Sequence, residues 1–290
     1  MGTSQSSEGP CGGVPMVPPW VPPLVQPVAL VVDDGIQSSP IQPQMQARPV
    51  VPTLLNATPT EIIPVAPAGR FRTARFSLGR FAHSGDGGDL RRAVGRYIRD
   101  GYRGSGTASR RFAGTSSTAA ALHSVLSSNE KGHSAGEGSK LDPILLSGRS
   151  TREVIDAIVQ SVRPSDGTQD AEANRASIRD ALCELLTKFQ EADPLNLKTE
   201  EREFVVEQFV AIDVFRRFQL DLGKTIQEKA PSARTALVRL KEVKDYVKET
   251  ISASFRKLRE KGQRMITGRV REIAQSALRE TMAVFEGYAE

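Results

Sequence analysis

Gly132-His133-Ser134-Ala135-Gly136 fits G-x-S-x-G, the strained turn that lifts a nucleophilic serine clear of a sheet. That chemistry needs a strand before the serine and a helix after it. Here the pentapeptide sits inside SSNEKGHSAGEGSK, which has neither pattern, so Ser134 reads as a linker residue. Gly223-Lys224-Thr225 matches the end of a phosphate-binding loop, but the first glycine of G-x-x-x-x-G-K-T falls at Phe218. Gly223 is therefore expected to end a helix. His83, His123 and His133 have no cysteine partners at zinc spacing, and the carboxylates are scattered over amphipathic helical patterns. No catalytic set, metal site or bound cofactor is expected, and the chain reads as a non-enzyme.

Two other features carry chemistry. MGTSQS fits M-G-x-x-x-[ST], the myristoylation pattern, through Gly2 and Ser6. Removal of Met1 would expose an unhindered glycine α-amine with an ordinary pKa of about 8, a usable nucleophile near neutral pH. The second feature is an arginine-only stretch. Residues 70–112 carry eleven Arg, no Lys and three Asp, whereas residues 1–69 are acidic and residues 113–290 balance to zero, so all of the net +5 charge originates there. Arg70, Arg72, Arg75, Arg80, Arg91, Arg92, Arg96, Arg99, Arg110 and Arg111 are the candidate binding residues. Phe71, Phe76, Phe81, Tyr97, Tyr102 and Phe112 are interleaved with them. Arginine pairs bidentately with phosphate and aromatic rings stack on bases, the pattern of a single-strand nucleic-acid surface. Equally, the rings can pack on a helical core while the arginines dock an acidic protein or face water.

The elements that must position these residues are all helical. Of 18 prolines, 14 precede Gly69, so residues 1–69 are expected to be a disordered or polyproline II tail. Trp20-Val21-Pro22-Pro23 within it could dock an aromatic groove. Arg-Phe pairs at 70, 75 and 80 recur every five residues, neither helical nor strand period, so residues 70–126 read as an Arg-rich, partly helical segment. Within it, one helix is expected over 89–100 and another over 107–126. Residues 127–146 read as a linker.

Residues 147–290 read as an α-helical domain. Ser150 and Glu153 form a capping box, and the first helix runs to Pro164. Ile178, Leu182, Leu185 and Phe189 mark the second. Thr199, Glu200 and Glu201 open the third, whose Phe204, Phe209, Ile212, Phe215 and Phe218 make it the central one, ending at Gly223. Pro231 and Ser232 open the fourth, with Leu237, Leu240, Val243, Val247, Ile251, Phe255 and Leu258 on its stripe. Ile266, Val270, Ile273, Ala277 and Phe285 mark the fifth. The fold class is all-α, a helical bundle preceded by the tail and the Arg-rich segment. No membrane span, secretory signal, internal repeat or disulfide framework is legible, Cys11 and Cys183 being the two cysteines. A cytoplasmic location is expected.

Three strings resemble a known family: MGTSQS with GGVPMVPPW, then GRFRTARFSLGRFAHSGDGGDLRRAVGRYIRDGYRGSGTASRRFAGT, then FVAIDVFRRFQLDLGKTIQEKAPSA. They are similar to QatB, the small component of the bacterial four-gene Qat anti-phage defence system. The resemblance implies three partners: a P-loop ATPase (QatA), a QueC-like enzyme (QatC) and a TatD-like metal-dependent nuclease (QatD). QueC-like enzymes activate a carboxylate on a deazapurine with ATP and transfer it to an amine. The resemblance therefore implies that Gly2 is a modification site, that Thr3, Ser4 and Ser6 form the strip the partner enzyme recognises, and that a deazaguanine group is attached covalently to the N-terminus. It demotes myristoylation, a eukaryotic modification. The competing expectation is a nucleic-acid-binding adaptor that recruits the nuclease through the arginines.

Overall fold

Local sequence sets where four of the helices start. Ser150 Oγ accepts the Glu153 N–H at 3.4 Å while Glu153 accepts the Ser150 N–H at 2.9 Å, the reciprocal capping box. Thr168 Oγ1 accepts from the Ala171 N–H and Ser232 Oγ from the Thr235 N–H, each satisfying an amide with no partner inside its helix. Asp86 does the same for Asp89. In this computed structural model the described residues are 69–127, 146, 148–266 and 268–289. They form nine α-helices and no strand: α1 (Arg72–Ser84), α2 (Gly87–Arg96), α3 (Ser105–Arg111), α4 (Ala113–Ser127), α5 (Thr151–Val162), α6 (Gln169–Lys188), α7 (Thr199–Lys229), α8 (Ala233–Glu260) and α9 (Val270–Glu286). The all-α expectation holds. The proline-rich residues 1–68 and most of the 127–146 linker, with Gly2, Thr3, Ser4, Ser6, His133 and Ser134, lie outside the described residues.

Helix α7 is the axle. Every residue from Val205 to Phe215 is buried, because α1, α4, α6 and α8 pack around it, as expected for a helix apolar on all sides. Phe209 and Phe218 are nearly inaccessible, and each contributes about 2 kcal/mol through burial. The α1 to α4 segment and the α5 to α9 segment share one hydrophobic cluster.

Several boundaries differ from the sequence expectation. α7 continues through Gly223 to Lys229. Ile226 lies in the core and rewards the extra turns; the helix ends where Pro231 forces Ala230 into extended backbone (φ −68°, ψ 144°). The five-residue Arg-Phe repeat forms a regular helix, because the operative pattern is Phe71, Ala74, Leu78 and Phe81, spaced by three or four, all buried. The helix expected over 89–100 is α2 followed by a π turn (Tyr97–Gly101). That over 107–126 divides at Phe112, whose ring turns into the core. On α8 the buried stripe starts at Ala236, one residue earlier than expected, which rotates Leu237 outward to 69% exposure. Ile266 lies in the turn before α9 and is exposed, Met265 taking the inward position.

Candidate partner-binding surface

The Arg-rich segment folds into α1, α2, the π turn and α3, laid over α7 on one side and α9 on the other. Its ten candidate arginines separate by environment. Arg80 and Arg92 close on the buried carboxylate of Asp89 at 3.3 and 2.7 Å, Arg92 also lying 3.8 Å from Asp86. The hydrogen bond to Asp89 holds the Arg92 guanidinium above its ordinary pKa. Arg96 donates to Ser77 Oγ at 2.9 Å and Arg75 to the Asp221 carbonyl at 3.5 Å, tying α2 to α1 and α1 to α7. Arg70 lies over the Phe71 ring at 4.3 Å and the Tyr102 ring at 5.5 Å. Arg111 pairs with Asp170 at 3.2 Å, and Arg110 is half-buried. Arg99 is exposed with Asp100 at 3.8 Å. Arg72 and Arg91 are exposed and make no ion pair among the described residues.

The aromatic residues divide differently. Phe71, Phe81, Tyr97, Tyr102 and Phe112 are buried, leaving Phe76, 66% exposed, as the one ring of the six facing outward. Tyr97 stacks against Phe71 at 5.3 Å between centroids and meets Tyr102 edge-on at 5.1 Å. These rings are core, so the expected stacking platform for single-stranded bases reduces to Phe76. Of the two alternatives left open by the sequence, the rings follow the packing one.

Two acidic residues that the spacing of charges does not single out, Asp221 and Asp213, organise this surface from below. The half-buried Asp221 accepts from Tyr97 at 2.8 Å and Tyr102 at 3.0 Å. Burial pushes the Asp221 carboxyl up, against the tyrosine hydrogen bonds and Arg70, and burial also raises both phenols. Asp213 accepts from Thr115 at 2.6 Å, Ser177 at 3.4 Å and Arg217 at 3.4 Å. Arg217 also pairs with Asp170 at 3.2 Å. Burial works against the Arg217 charge, but Asp213 and Asp170 hold it above its ordinary pKa. An acid on an otherwise apolar face, as Asp213 is within FVAIDVF, is the sequence signal for such a partner. Arg103 is a further omission: it is exposed and takes left-handed backbone (φ 58°), which costs a non-glycine residue energy.

The arrangement offers a cationic face fixed to a rigid bundle. Among the described residues no group of three or more His, Cys, Asp or Glu could hold a metal ion, and no helix is long and apolar enough to cross a membrane.

The model of one family, described as Qat anti-phage system associated protein QatB, matches residues 104–285, well over half of the chain. The chain belongs to that family and is a component of a Qat anti-phage system. No curated protein and no solved structure matches it.

Proposed function

We propose that this QatB-family chain is the protein substrate of the QueC-like partner QatC, modified at Gly2 after Met1 is removed, and an adaptor to the P-loop ATPase QatA. The observation that carries the reading is Met1-Gly2-Thr3-Ser4-Gln5-Ser6, a small-residue terminus set ahead of 14 prolines and a helical body, in a family tied to the Qat system. In the reaction, ATP activates a deazapurine carboxylate as its adenylate with loss of pyrophosphate. The Gly2 amine attacks the acyl carbon, an amide C–N bond forms, AMP leaves and the amine gives up a proton. The chain contributes the nucleophile, whose ordinary pKa of about 8 leaves a fraction unprotonated at neutral pH. Thr3, Ser4 and Ser6 are the strip the enzyme reads. The helical body and its arginine face serve the adaptor role.

Intact-mass and N-terminal-peptide mass spectrometry of the chain, expressed with and without QatC, tests this. The expected result is a QatC-dependent mass increase on Gly2 that Gly2→Pro abolishes. A Met-free, unmodified terminus in both samples, with QatC shown to be active, overturns it. A second reading, a nucleic-acid adaptor that recruits the TatD-like nuclease QatD, is favoured by one observation, the exposure of Arg72, Arg91 and Arg99.

A further inference from the structure

A second basic surface lies at the far end of α9 from the Arg-rich segment. α9 meets that segment at its C-terminal end, where Glu286 accepts the Ser105 N–H at 3.0 Å; the turn from α8 into α9 leads into its other end. From residue 256 to 272 this turn carries Arg256, Lys257, Arg259, Lys261, Arg264, Arg269 and Arg271 against Glu260 and Glu272. All seven cations are exposed. Lys257 is paired with Glu280, Arg259 with Glu207 at 2.9 Å, and Arg269 weakly with Glu272 at 3.8 Å. Arg256, Lys261, Arg264 and Arg271 form no ion pair among the described residues.

Backbone hydrogen bonds close the turn at both ends. α8 ends in a Schellman motif, with the Gln263 N–H on the Leu258 carbonyl at 3.0 Å and the Gly262 N–H on the Arg259 carbonyl at 2.9 Å. Gly262 supplies the left-handed backbone (φ +76°) that motif needs. Met265 is buried and anchors the loop, and the Arg269 N–H closes it on the Ile266 carbonyl at 2.9 Å. Ile266, between Arg264 and Arg269 in sequence, is held outward at 59% exposure.

Folding alone does not account for this set. Lys257 and Arg259 suit the negative C-terminal end of α8, but Arg269 and Arg271 sit at the start of α9, where the positive end of the helix dipole disfavours cations. A protein partner would want an extended apolar centre with charge at its rim; this surface has a single exposed apolar side chain, Ile266, among seven exposed cations, four of them without an ion-pair partner among the described residues. Arginine forks with an exposed apolar side chain between them in sequence fit a nucleic-acid groove, the cations on phosphates and the apolar side chain against a base step. We propose that the α8–α9 turn and the helix ends flanking it are a sequence-independent contact to the phosphate backbone of duplex DNA, made by Arg256, Lys261, Arg264 and Arg271 together with the exposed Ile266.

Fluorescence anisotropy with the full chain and a fluorescein-labelled 30-base-pair DNA duplex tests it. Four phosphate contacts give a log–log salt slope of about −3.6, so affinity falls about 150-fold between 50 and 200 mM salt. Substituting all four cations by Gln is expected to abolish the binding and the slope, with helicity by circular dichroism unchanged because the four side chains are exposed. The same four positions as Lys should retain binding. Arg152→Gln/Arg234→Gln, at exposed cations outside both basic segments, should bind like the native chain. The proposal is overturned if the native chain fails to bind at 50 mM salt, or if Arg72→Gln/Arg91→Gln/Arg99→Gln loses binding that the turn variant keeps. Displacement of the duplex by poly-glutamate at equal charge concentration also overturns it, assigning the turn to an acidic protein.

Discussion

Asp213→Ala tests whether a buried polar network ties α4, α6 and α7 together. Asp213 is fully buried on α7 and accepts the Thr115 hydroxyl of α4, the Ser177 hydroxyl of α6 and the Arg217 guanidinium one turn along. Removing its carboxylate strands a hydroxyl that had a 2.6 Å acceptor, a loss of about 1 kcal/mol. It also strips Arg217, whose side chain is 8% exposed, of one of its two anions. Leaving a buried charge wholly unpaired costs about 3–5 kcal/mol. Asp170 remains at 3.2 Å, so about half of that applies, and the expected total is about 3 kcal/mol. For a folded unit of this size that lowers Tm by about 6–12 °C.

Urea unfolding of the full chain followed by circular dichroism at 222 nm reads the difference. Asp213→Asn keeps an acceptor for Thr115 and loses the charge, so its expected cost is about 1–2 kcal/mol. Thr115→Val should cost about 1 kcal/mol in the native background and close to nothing once Asp213 is alanine, since the bond it removes is already gone. A cost below about 1 kcal/mol for Asp213→Ala, or strict additivity of the pair, would refute the network as the tie between α4, α6 and α7.

Two further outcomes follow from the same geometry. Gly95→Ala places a Cβ 2.5 Å from the Ala289 backbone nitrogen and 2.6 Å from the Tyr288 carbonyl carbon, so it should destabilise by about 2–3 kcal/mol and detach residues 287–289 from α2; an unchanged Tm would show that this segment does not pack there. pH dependence separates Asp170 from Asp221. Burial opposes the Asp170 charge, but Arg217 and Arg111 hold its carboxyl below the usual value, so its stabilisation is present above pH about 4 and is lost as pH falls through its folded pKa. Asp221, pushed up by burial, contributes stability that is full below pH about 4 and is lost as pH rises through its folded pKa. Asp170→Asn should therefore reduce neutral-pH stability and flatten the acid limb, whereas Asp221→Asn should leave pH 7 stability equal or higher. A loss above about 1 kcal/mol at pH 7 for Asp221→Asn would mean that the charged carboxylate is required by Tyr97 and Tyr102.

The parts of the fold legible in the sequence were those governed by neighbours along the chain. Ser150 with Glu153, and Ser232 three residues before Thr235, are local capping chemistry, and both sit where their residue types require. Gly223 misled because its role depends on Ile226, which finds the core one turn later and outweighs a glycine's cost of about 1 kcal/mol in a helix. Phe76 and Phe81 look alike in sequence; which one is buried depends on the register of α1 against α7, a tertiary fact with no local signature.

Charge was harder to read for a related reason. Summed over residues 113–290 it vanishes, yet not every cation there is paired. Glu200, Glu201 and Glu203 open α7 and Glu207 reaches Arg259, whereas Arg256, Lys261, Arg264 and Arg271, around the turn from α8 into α9, have no ion-pair partner among the described residues. A window of the length of one turn would have exposed the second basic surface. The Arg-rich segment shows the converse: its +8 charge is real, but Asp89, Asp170 and the Asp221 carbonyl engage several of its guanidinium groups. A cation engaged inside the fold offers less to a partner than an exposed one with no ion-pair partner. For that reason four unpaired side chains on and between α8 and α9 make a sharper test of polyanion binding than eleven arginines counted along the sequence.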